Sequence, residues 1–124
     1  MKLEPLLYVS DLNKSIKFYT DVLGFRLGEL YPNSENPTYA PIFIGDNKLM
    51  IVIIRDTNKK FIQNNLGGSG VQFFIQVDGV DDTYTKIKNQ VEILDEIETK
   101  PRGDREFTIK DLDGYLISFY TPKA

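Results

Sequence analysis

The side chains that could do chemistry in this chain carry only oxygen, amide and amine groups. Its 124 residues include no His, no Cys and no Trp. Without Cys there is no disulfide framework, thiolate nucleophile or Cys-ligated zinc site. Without His, both the usual general base near neutral pH and the commonest transition-metal ligand are missing, and a Ser-His-Asp triad is excluded. Any catalysis therefore depends on Asp, Glu, Lys, Tyr, Ser or Thr, or on a bound cofactor.

The net charge of −3 argues against nucleic acid as a partner. A nucleic-acid-binding surface needs a basic stripe that displaces counterions from phosphate, and the longest basic cluster here is Lys59-Lys60. The longest apolar run, residues 49–54, is far shorter than the roughly 20 residues that span a bilayer. The N-terminal segment has no signal-peptide core. We expect one cytoplasmic globular domain that binds neither nucleic acid nor a membrane.

Hydrophobic spacing divides the chain into the same order of elements twice. The first set is predicted as a strand at 3–9, a helix at 12–23 ended by Gly24, and strands at 25–31, 39–44 and 48–54, the last two joined by a Gly45-Asp46-Asn47 turn. The second set is predicted as a strand at 71–77, a helix at 80–90, and strands at 91–99, 105–111 and 115–121. Between the two sets lie polar residues 55–70, with a short helix expected around 58–65.

This repeat predicts an α+β fold of two tandem βαβββ modules whose curved mixed sheets enclose a cleft. Residues 4–19 align with 72–87, and residues 46–53 align with 113–120 as a polar turn followed by an apolar strand. We expect module one at about 1–60, a linker at about 61–70 and module two at about 71–124, all within a single domain.

Alternation along the strands assigns side chains to the cleft, because successive residues of a strand point to opposite faces. Leu7 and Val9 are expected to face the helix, and Glu4, Leu6 and Tyr8 to face the cleft. In the hairpin strands, Ile51 is aligned with Ser118 as a cleft residue. The residues predicted to line the ligand-binding cleft are Glu4, Leu6, Tyr8, Tyr39, Phe43, Ile51, Gln72, Phe74, Ser118 and Tyr120.

These residue types suit a small-molecule pocket rather than a set of catalytic groups. Tyr8, Phe74 and Tyr120 could stack on a planar ligand. Gln72 offers hydrogen bonds, and the Glu4 carboxylate favours a cation. The alternative interpretation is that the aromatic rings pack in a core between the sheets and that Glu4 is a solvated residue at the start of a strand.

Several segments resemble the vicinal oxygen chelate superfamily, which includes glyoxalases, extradiol dioxygenases and bleomycin-resistance proteins. The opening signature of that superfamily is similar to residues 9–12 (VSDL), Ser15, residues 18–19 (FY) and residues 22–25 (VLGF). Its closing turn resembles residues 111–115 (DLDGY), and residues 102–107 (RGDREF) are similar to a stretch of the bleomycin-resistance branch. The resemblance covers nearly the whole chain and implies the fold described above and a homodimer.

The resemblance also implies four positions where the family's enzymes hold a divalent metal. In this sequence they correspond to Glu4, Ile51, Gln72 and Ser118. Glu4 and Gln72 offer oxygen ligands, but Ser118 is a poor ligand and Ile51 offers none. We therefore expect no metal or other cofactor and no catalytic residues, with a weakly bound divalent metal as the alternative.

The sequence favours a binding protein and leaves open whether the chain is an enzyme. Our first hypothesis is a metal-free homodimer that sequesters a small cationic or aromatic molecule, as in antibiotic resistance. The second is a metal-dependent glyoxalase-like lyase, dioxygenase or drug-modifying transferase of the same superfamily. The third is a regulatory domain that binds another protein at a sheet edge.

Overall fold

The secondary structure follows the predicted order of elements. The computed structural model describes residues 1–62 and 70–124. Its strands are β1 (Leu6–Val9), β2 (Arg26–Leu27), β3 (Tyr39–Ile44), β4 (Asn47–Ile53), β5 (Gln72–Gln76), β6 (Glu92–Thr99), β7 (Arg105–Lys110) and β8 (Leu116–Thr121). Its helices are α1 (Leu12–Lys17), continued by a π-helical segment (Phe18–Val22), a 3-10 turn (Lys59–Phe61) and α2 (Val80–Ile87). No helical segment in the described ranges has the length and apolarity that crossing a bilayer requires.

The chain divides into two compact units, Met1–Leu66 and Gly67–Ala124, which we call module one and module two. Each module holds a four-stranded sheet, ordered β1-β4-β3-β2 in module one and β5-β8-β7-β6 in module two. In both sheets the module's first strand runs parallel to its last, and the remaining pairs are antiparallel. The prediction of an α+β fold with two tandem βαβββ modules is confirmed. Most of the linker expected at 61–70 lies outside the described residues, as does the C-terminal part of the helix expected around 58–65.

The first helix begins and ends where its capping residues predict. The Asp11 side chain accepts a hydrogen bond from the Lys14 backbone N–H at 3.0 Å, which satisfies one of the free donors of the first turn. Gly24 has a φ of 78°, the left-handed conformation that terminates helices and suits a residue without a side chain. The buried face of this helix packs on β3 and β4. The element predicted at 12–23 is therefore one continuous helix with a π-helical second half.

The strand predicted at 25–31 is only two residues long, and Pro41 provides the reason. The Gly28 N–H donates to the Pro41 carbonyl at 2.9 Å, so the backbone of Pro41 turns its polar side toward β2. Proline has no N–H to return a second bond, and the regular ladder therefore stops at the pair of Leu27 with Ile42. Tyr31 regains one isolated bridge to β3 further along.

The same crossing makes Gly28 intolerant of a side chain. A Cβ on Gly28 would lie 2.7 Å from a Phe43 ring carbon and 2.8 Å from a Pro41 ring carbon. Because neither ring is a flexible chain end, we expect Gly28→Ala to lower the free energy of unfolding by about 1–3 kcal/mol in urea titrations. Glu29→Ala, at the exposed neighbouring position, is the control and should stay within about 0.5 kcal/mol of wild type. Equal stability of both variants would contradict the close packing at Gly28.

The two modules use the same strand register but different hairpin turns. In each module a residue of the first strand pairs with one 44 positions later, Leu6 with Met50 and Phe74 with Ser118. The β3–β4 turn is short, because Ile44 already pairs with Asn47. The β7–β8 turn has one residue more, closed by a bond from the Asp111 N–H to the Tyr115 carbonyl at 2.9 Å. The equivalent of Ser118 in module one is therefore Met50, one position from the residue that the sequence alignment selected.

Each sheet buries one face beneath its helix. In module one, Val9, Ala40, Ile42 and Ile51 on that face have no exposed surface. In module two, the Phe107 and Phe119 rings stack with centroids 5.4 Å apart, and the Tyr84 ring of α2 meets Phe107 edge-on at 5.0 Å. The side of each sheet that faces its helix is therefore filled by apolar side chains, and the alternate residues of the strands lie on the opposite face.

Candidate functional site

The opposite face of the module-two sheet combines polar groups with exposed aromatic rings, and we call it the module-two face. It carries alternate residues of β5, β7 and β8, since paired residues of neighbouring strands share a face. Its central members are Gln72, Phe74, Gln76, Thr108, Ser118 and Tyr120. Four of these six, Gln72, Phe74, Ser118 and Tyr120, are residues that the sequence predicted for the ligand site.

A hydrogen-bonded chain of three side chains forms the polar half of this face. The Gln72 amide nitrogen donates to the Ser118 hydroxyl at 2.7 Å, and the Ser118 and Thr108 hydroxyls lie 2.6 Å apart. Ser118 has no exposed surface and Thr108 is 4% exposed, whereas Gln72 is exposed. Buried hydroxyls need partners, and each of these supplies the other's. The arrangement holds the Gln72 amide in one orientation at the surface.

Two aromatic side chains form the other half of the module-two face. The Phe74 and Tyr120 rings meet edge-on, with centroids 6.0 Å apart at an interplanar angle of 66°. Phe74 is 56% exposed, an unusually open position for a phenylalanine in a strand. The Tyr120 hydroxyl donates to the Gln76 side-chain carbonyl at 3.2 Å, which orients a second amide beside the rings. The face thus offers aromatic area next to fixed amides, the combination that binds planar polar molecules.

The corresponding face of module one, which we call the module-one face, is mainly apolar. Leu6 pairs with Met50 and Tyr8 with Val52, and Val52 also pairs with Tyr39. These side chains share the face opposite the helix. The strand register therefore places Leu6, Tyr8 and Tyr39 on the face away from the helix, as predicted.

Ile51 lies on the opposite face from the one predicted. It pairs with Leu7 on β1 and with Ala40 on β3, both of them buried beneath the helix. Ile51 itself has no exposed surface, so it is a core residue of module one. The error has a local cause, because the extra residue in the β7–β8 turn shifted the alignment of the two modules by one position.

At the hairpin end of module one, a row of charged and aromatic side chains crosses the sheet. The Arg26 guanidinium carbon lies 4.4 Å from the centre of the Phe43 ring, and Phe43 pairs with Lys48. The Lys48 ammonium is 3.4 Å from the Glu4 carboxylate, with each side chain 30% exposed. Glu4 and Phe43 also line a cavity of about 440 Å³. The structure therefore brings together two predicted site residues that lie 39 positions apart in the sequence.

The residues at the family's metal positions are each poorly suited to hold a divalent cation. The Ser118 hydroxyl already has two hydrogen-bonding partners, the Gln72 amide nitrogen, which donates to it, and the Thr108 hydroxyl. The only carboxylate, Glu4, has the Lys48 ammonium beside it, and the fourth position is the thioether of Met50. Hard divalent cations need several oxygen ligands, and softer ones need imidazole or thiolate. Elsewhere in residues 1–62 and 70–124 no group of three or more acidic, His or Cys side chains is placed to hold a metal.

The acidic strand β6 is neutralised by its own neighbours. The Lys100 ammonium lies 2.6 Å from Asp95 and 2.7 Å from Glu98. The hydrogen bond to Asp95, followed by that to Glu98, raises the pKa of Lys100 above the ordinary lysine value. The Tyr84 hydroxyl donates to the Glu96 carboxylate, and this bond raises the pKa of Tyr84. These carboxylates are therefore engaged in local pairs and do not form a cation site.

Sequence reasoning missed Thr108 as a member of the site. Thr108 pairs directly with Ser118 across the β7–β8 hairpin. In residues 105–110 (REFTIK), the polar Thr108 stands between the apolar Phe107 and Ile109, so alternation places its side chain on the other face of the strand. A polar residue facing a serine across a predicted hairpin was the available signal.

Comparison with known proteins places the chain among relatives of the same architecture. The sequence model of the family described as Glyoxalase/Bleomycin resistance protein/Dioxygenase superfamily matches residues 3–119. The chain is 33% identical over 124 residues to the Probable lactoylglutathione lyase of Vibrio parahaemolyticus serotype O3:K6, an alignment that covers 98% of this chain and 90% of that protein.

Two solved structures share the fold over their whole lengths. TioX from Micromonospora sp. ML1 has a TM-score of 0.79 at 22% identity, with 98% of this chain and 98% of that chain covered. TnmS3, an antibiotic binding protein from Streptomyces sp. CB03234, has a TM-score of 0.72 at 20% identity, with 99% of this chain and 96% of that chain covered. At these identities the likeness shows a common fold.

Proposed function

This chain belongs to the glyoxalase/bleomycin resistance protein/dioxygenase superfamily, and from that premise we propose that it binds a small molecule without a metal, as bleomycin-resistance proteins do. Its role would be sequestration rather than catalysis. The observation that carries the proposal is the module-two face, where Gln72 and Ser118, at two of the family's metal positions, form a hydrogen-bonded chain with Thr108 beside two aromatic rings.

The composition of this face defines the class of ligand. Phe74 and Tyr120 favour a planar or aromatic group, and the amides of Gln72 and Gln76 favour a ligand with several hydrogen-bonding groups. Aromatic faces also attract cations, and the protein carries a net charge of −3. Glu4 contributes less than its charge suggests, because Lys48 already lies beside it. We therefore propose a cationic molecule with an aromatic part, such as an antibiotic of the bleomycin type.

The remaining parts of the proposal concern assembly and place of action. We propose a homodimer in the cytoplasm that acts on neither nucleic acid nor membranes. Leu6, Tyr8, Tyr39, Glu4 and Phe43 are proposed as further ligand-binding residues on module one. The apolar module-one face supports this, since exposed apolar surface on a sheet is available for a ligand or a second subunit.

A thermal-shift titration with a metal-free bleomycin-type glycopeptide tests the proposal. A ligand present at 100 times its Kd stabilises a protein by about 2.7 kcal/mol, which raises Tm of a domain this size by roughly 10 °C. We expect the same rise for protein treated with EDTA and for protein supplied with Zn²⁺. No rise at millimolar ligand, or a rise that appears only with Zn²⁺, would count against metal-free binding.

A metal-dependent lyase is the second candidate, because the Vibrio parahaemolyticus relative is named as a probable lactoylglutathione lyase. That function would need a divalent metal held by residues other than those described above. Elemental analysis of the purified protein, together with an assay of lactoylglutathione turnover with added Zn²⁺ or Ni²⁺, separates the two candidates. Stoichiometric metal and turnover would favour the lyase over the binding protein.

A further inference from the structure

The cavity at the hairpin end of module one has its own chemistry. It is a half-open depression of about 440 Å³, and small-molecule pockets occupy roughly 300–1,000 Å³. Its wall combines two ammonium groups, two carboxylates, one amide and one aromatic ring. The side chains that supply them are Lys2, Glu4, Phe43, Asp46, Asn47 and Lys48.

Half of the charge in this cavity is already paired, and half is not. Glu4 and Lys48 form an ion pair at 3.4 Å, and they neutralise each other. Lys2 and Asp46 form no ion pair with any side chain in residues 1–62 and 70–124. A molecule that complements the cavity therefore needs a negative group for Lys2 and a positive group for Asp46.

The other lining residues define what lies between those two charges. The Asn47 side-chain nitrogen donates to the Ile44 carbonyl at 3.3 Å, which leaves its carbonyl oxygen to accept a hydrogen bond from a ligand. The Phe43 ring, whose centre lies 4.4 Å from the Arg26 guanidinium carbon, supplies apolar area. An N–H donor and an apolar side group between the two charges would match these features.

We propose that this cavity binds a zwitterion of amino-acid or short-peptide type, with its free carboxylate on Lys2 and its free amine on Asp46. The peptide N–H meets the Asn47 carbonyl, and an apolar side chain packs on Phe43. A dipeptide, unlike a single amino acid, carries the peptide N–H that this arrangement uses. Glu4 and Phe43 also belong to the ligand-binding residues proposed above, but Lys2, Asp46 and Asn47, which contact the dipeptide's charged ends and peptide N–H, do not.

NMR titration with the dipeptide Gly-Phe tests this site, with two blocked forms as matched ligands. N-acetyl-Gly-Phe lacks the positive charge, and Gly-Phe amide lacks the negative charge. We expect Gly-Phe to shift the backbone amide signals of Phe43, Asn47 and Lys48 saturably, and each blocked form to bind at least about fivefold more weakly. Equal binding of all three, or no saturable shift at these residues with tens of millimolar Gly-Phe, would overturn the proposal.

Variants that each remove one charge test which residue contacts which end of the dipeptide. Asp46→Asn should weaken binding of Gly-Phe by about fivefold while leaving N-acetyl-Gly-Phe unaffected, because that form has no amine charge to lose. Lys2→Gln should weaken Gly-Phe in the same way while leaving Gly-Phe amide unaffected. Lys17→Gln and Asp21→Asn, both exposed on the first helix, are controls that should change neither affinity. Equal effects of the variants on all three ligands would contradict the assignment, whatever the module-two face binds.

Discussion

Replacing Ile51 with alanine is expected to lower the free energy of unfolding by about 2–5 kcal/mol, the largest stability effect that we expect in module one. Ile51 has no exposed surface and lies between Leu7 and Ala40 beneath the helix, so truncation removes buried apolar area and leaves a cavity. Urea denaturation monitored by circular dichroism measures the loss.

Val52→Ala is the matched control, since its side chain lies on the opposite face of the same strand and is only partly buried. It should cost clearly less than Ile51→Ala. If the two costs were equal, or if Ile51→Ala retained full stability, the assignment of Ile51 to the core would be wrong. Its original assignment to the ligand site would then stand again.

Replacing Phe74 with alanine is expected to weaken binding of a bleomycin-type ligand by about 30-fold or more. Aromatic side chains at the centre of a binding surface commonly contribute 2 kcal/mol or more on truncation, and 1.4 kcal/mol corresponds to a factor of ten. Because Phe74 is 56% exposed, the same change should alter the free energy of unfolding by less than about 1 kcal/mol. Calorimetric titration gives the affinity, and urea denaturation gives the stability.

Phe61 provides the control for this second prediction. It is 62% exposed, similar to Phe74, but it lies in the 3-10 turn of module one and belongs to neither sheet. Phe61→Ala should leave the affinity unchanged. If Phe61→Ala and Phe74→Ala had the same effect, the loss would reflect general exposed apolar area and not a site on the module-two face.

The elements of this fold could be predicted from the sequence because each carries its own local signal. Asp11 and Gly24 mark the ends of the first helix, and alternation in residues 72–76 marks which side chains leave the core. Such signals involve neighbours within a few positions, and no long-range information is needed to use them.

Two details could not be predicted, because they depend on contacts between distant segments. The length of β2 is limited by Pro41, which lies on another strand. The sequence alignment of β8 with its counterpart β4 depends on a single extra residue in the β7–β8 turn. A shift of one residue in that alignment moves a side chain to the other face. Because of that shift, the sequence predicted Ile51 in the site where the structure places Met50.

The sequence predicted four of the six central residues of the module-two face but not the hydrogen bonds between them. Gln72 and Ser118 were identified individually, while the chain that links them to Thr108 appears only when β5, β8 and β7 are placed side by side. The connection matters, because it converts three isolated polar groups into a fixed arrangement with little remaining capacity to bind a metal. The proposal of metal-free binding depends on that change.

The measurement that tests this proposal most directly is an NMR titration of metal-stripped protein with a metal-free bleomycin-type glycopeptide. If the proposal is correct, backbone amide signals of β5 and β8, in Gln72–Gln76 and Leu116–Thr121, shift saturably, and EDTA leaves the affinity unchanged. Saturable binding that requires an added divalent metal, or shifts that leave both strands unperturbed at saturating ligand, would contradict it.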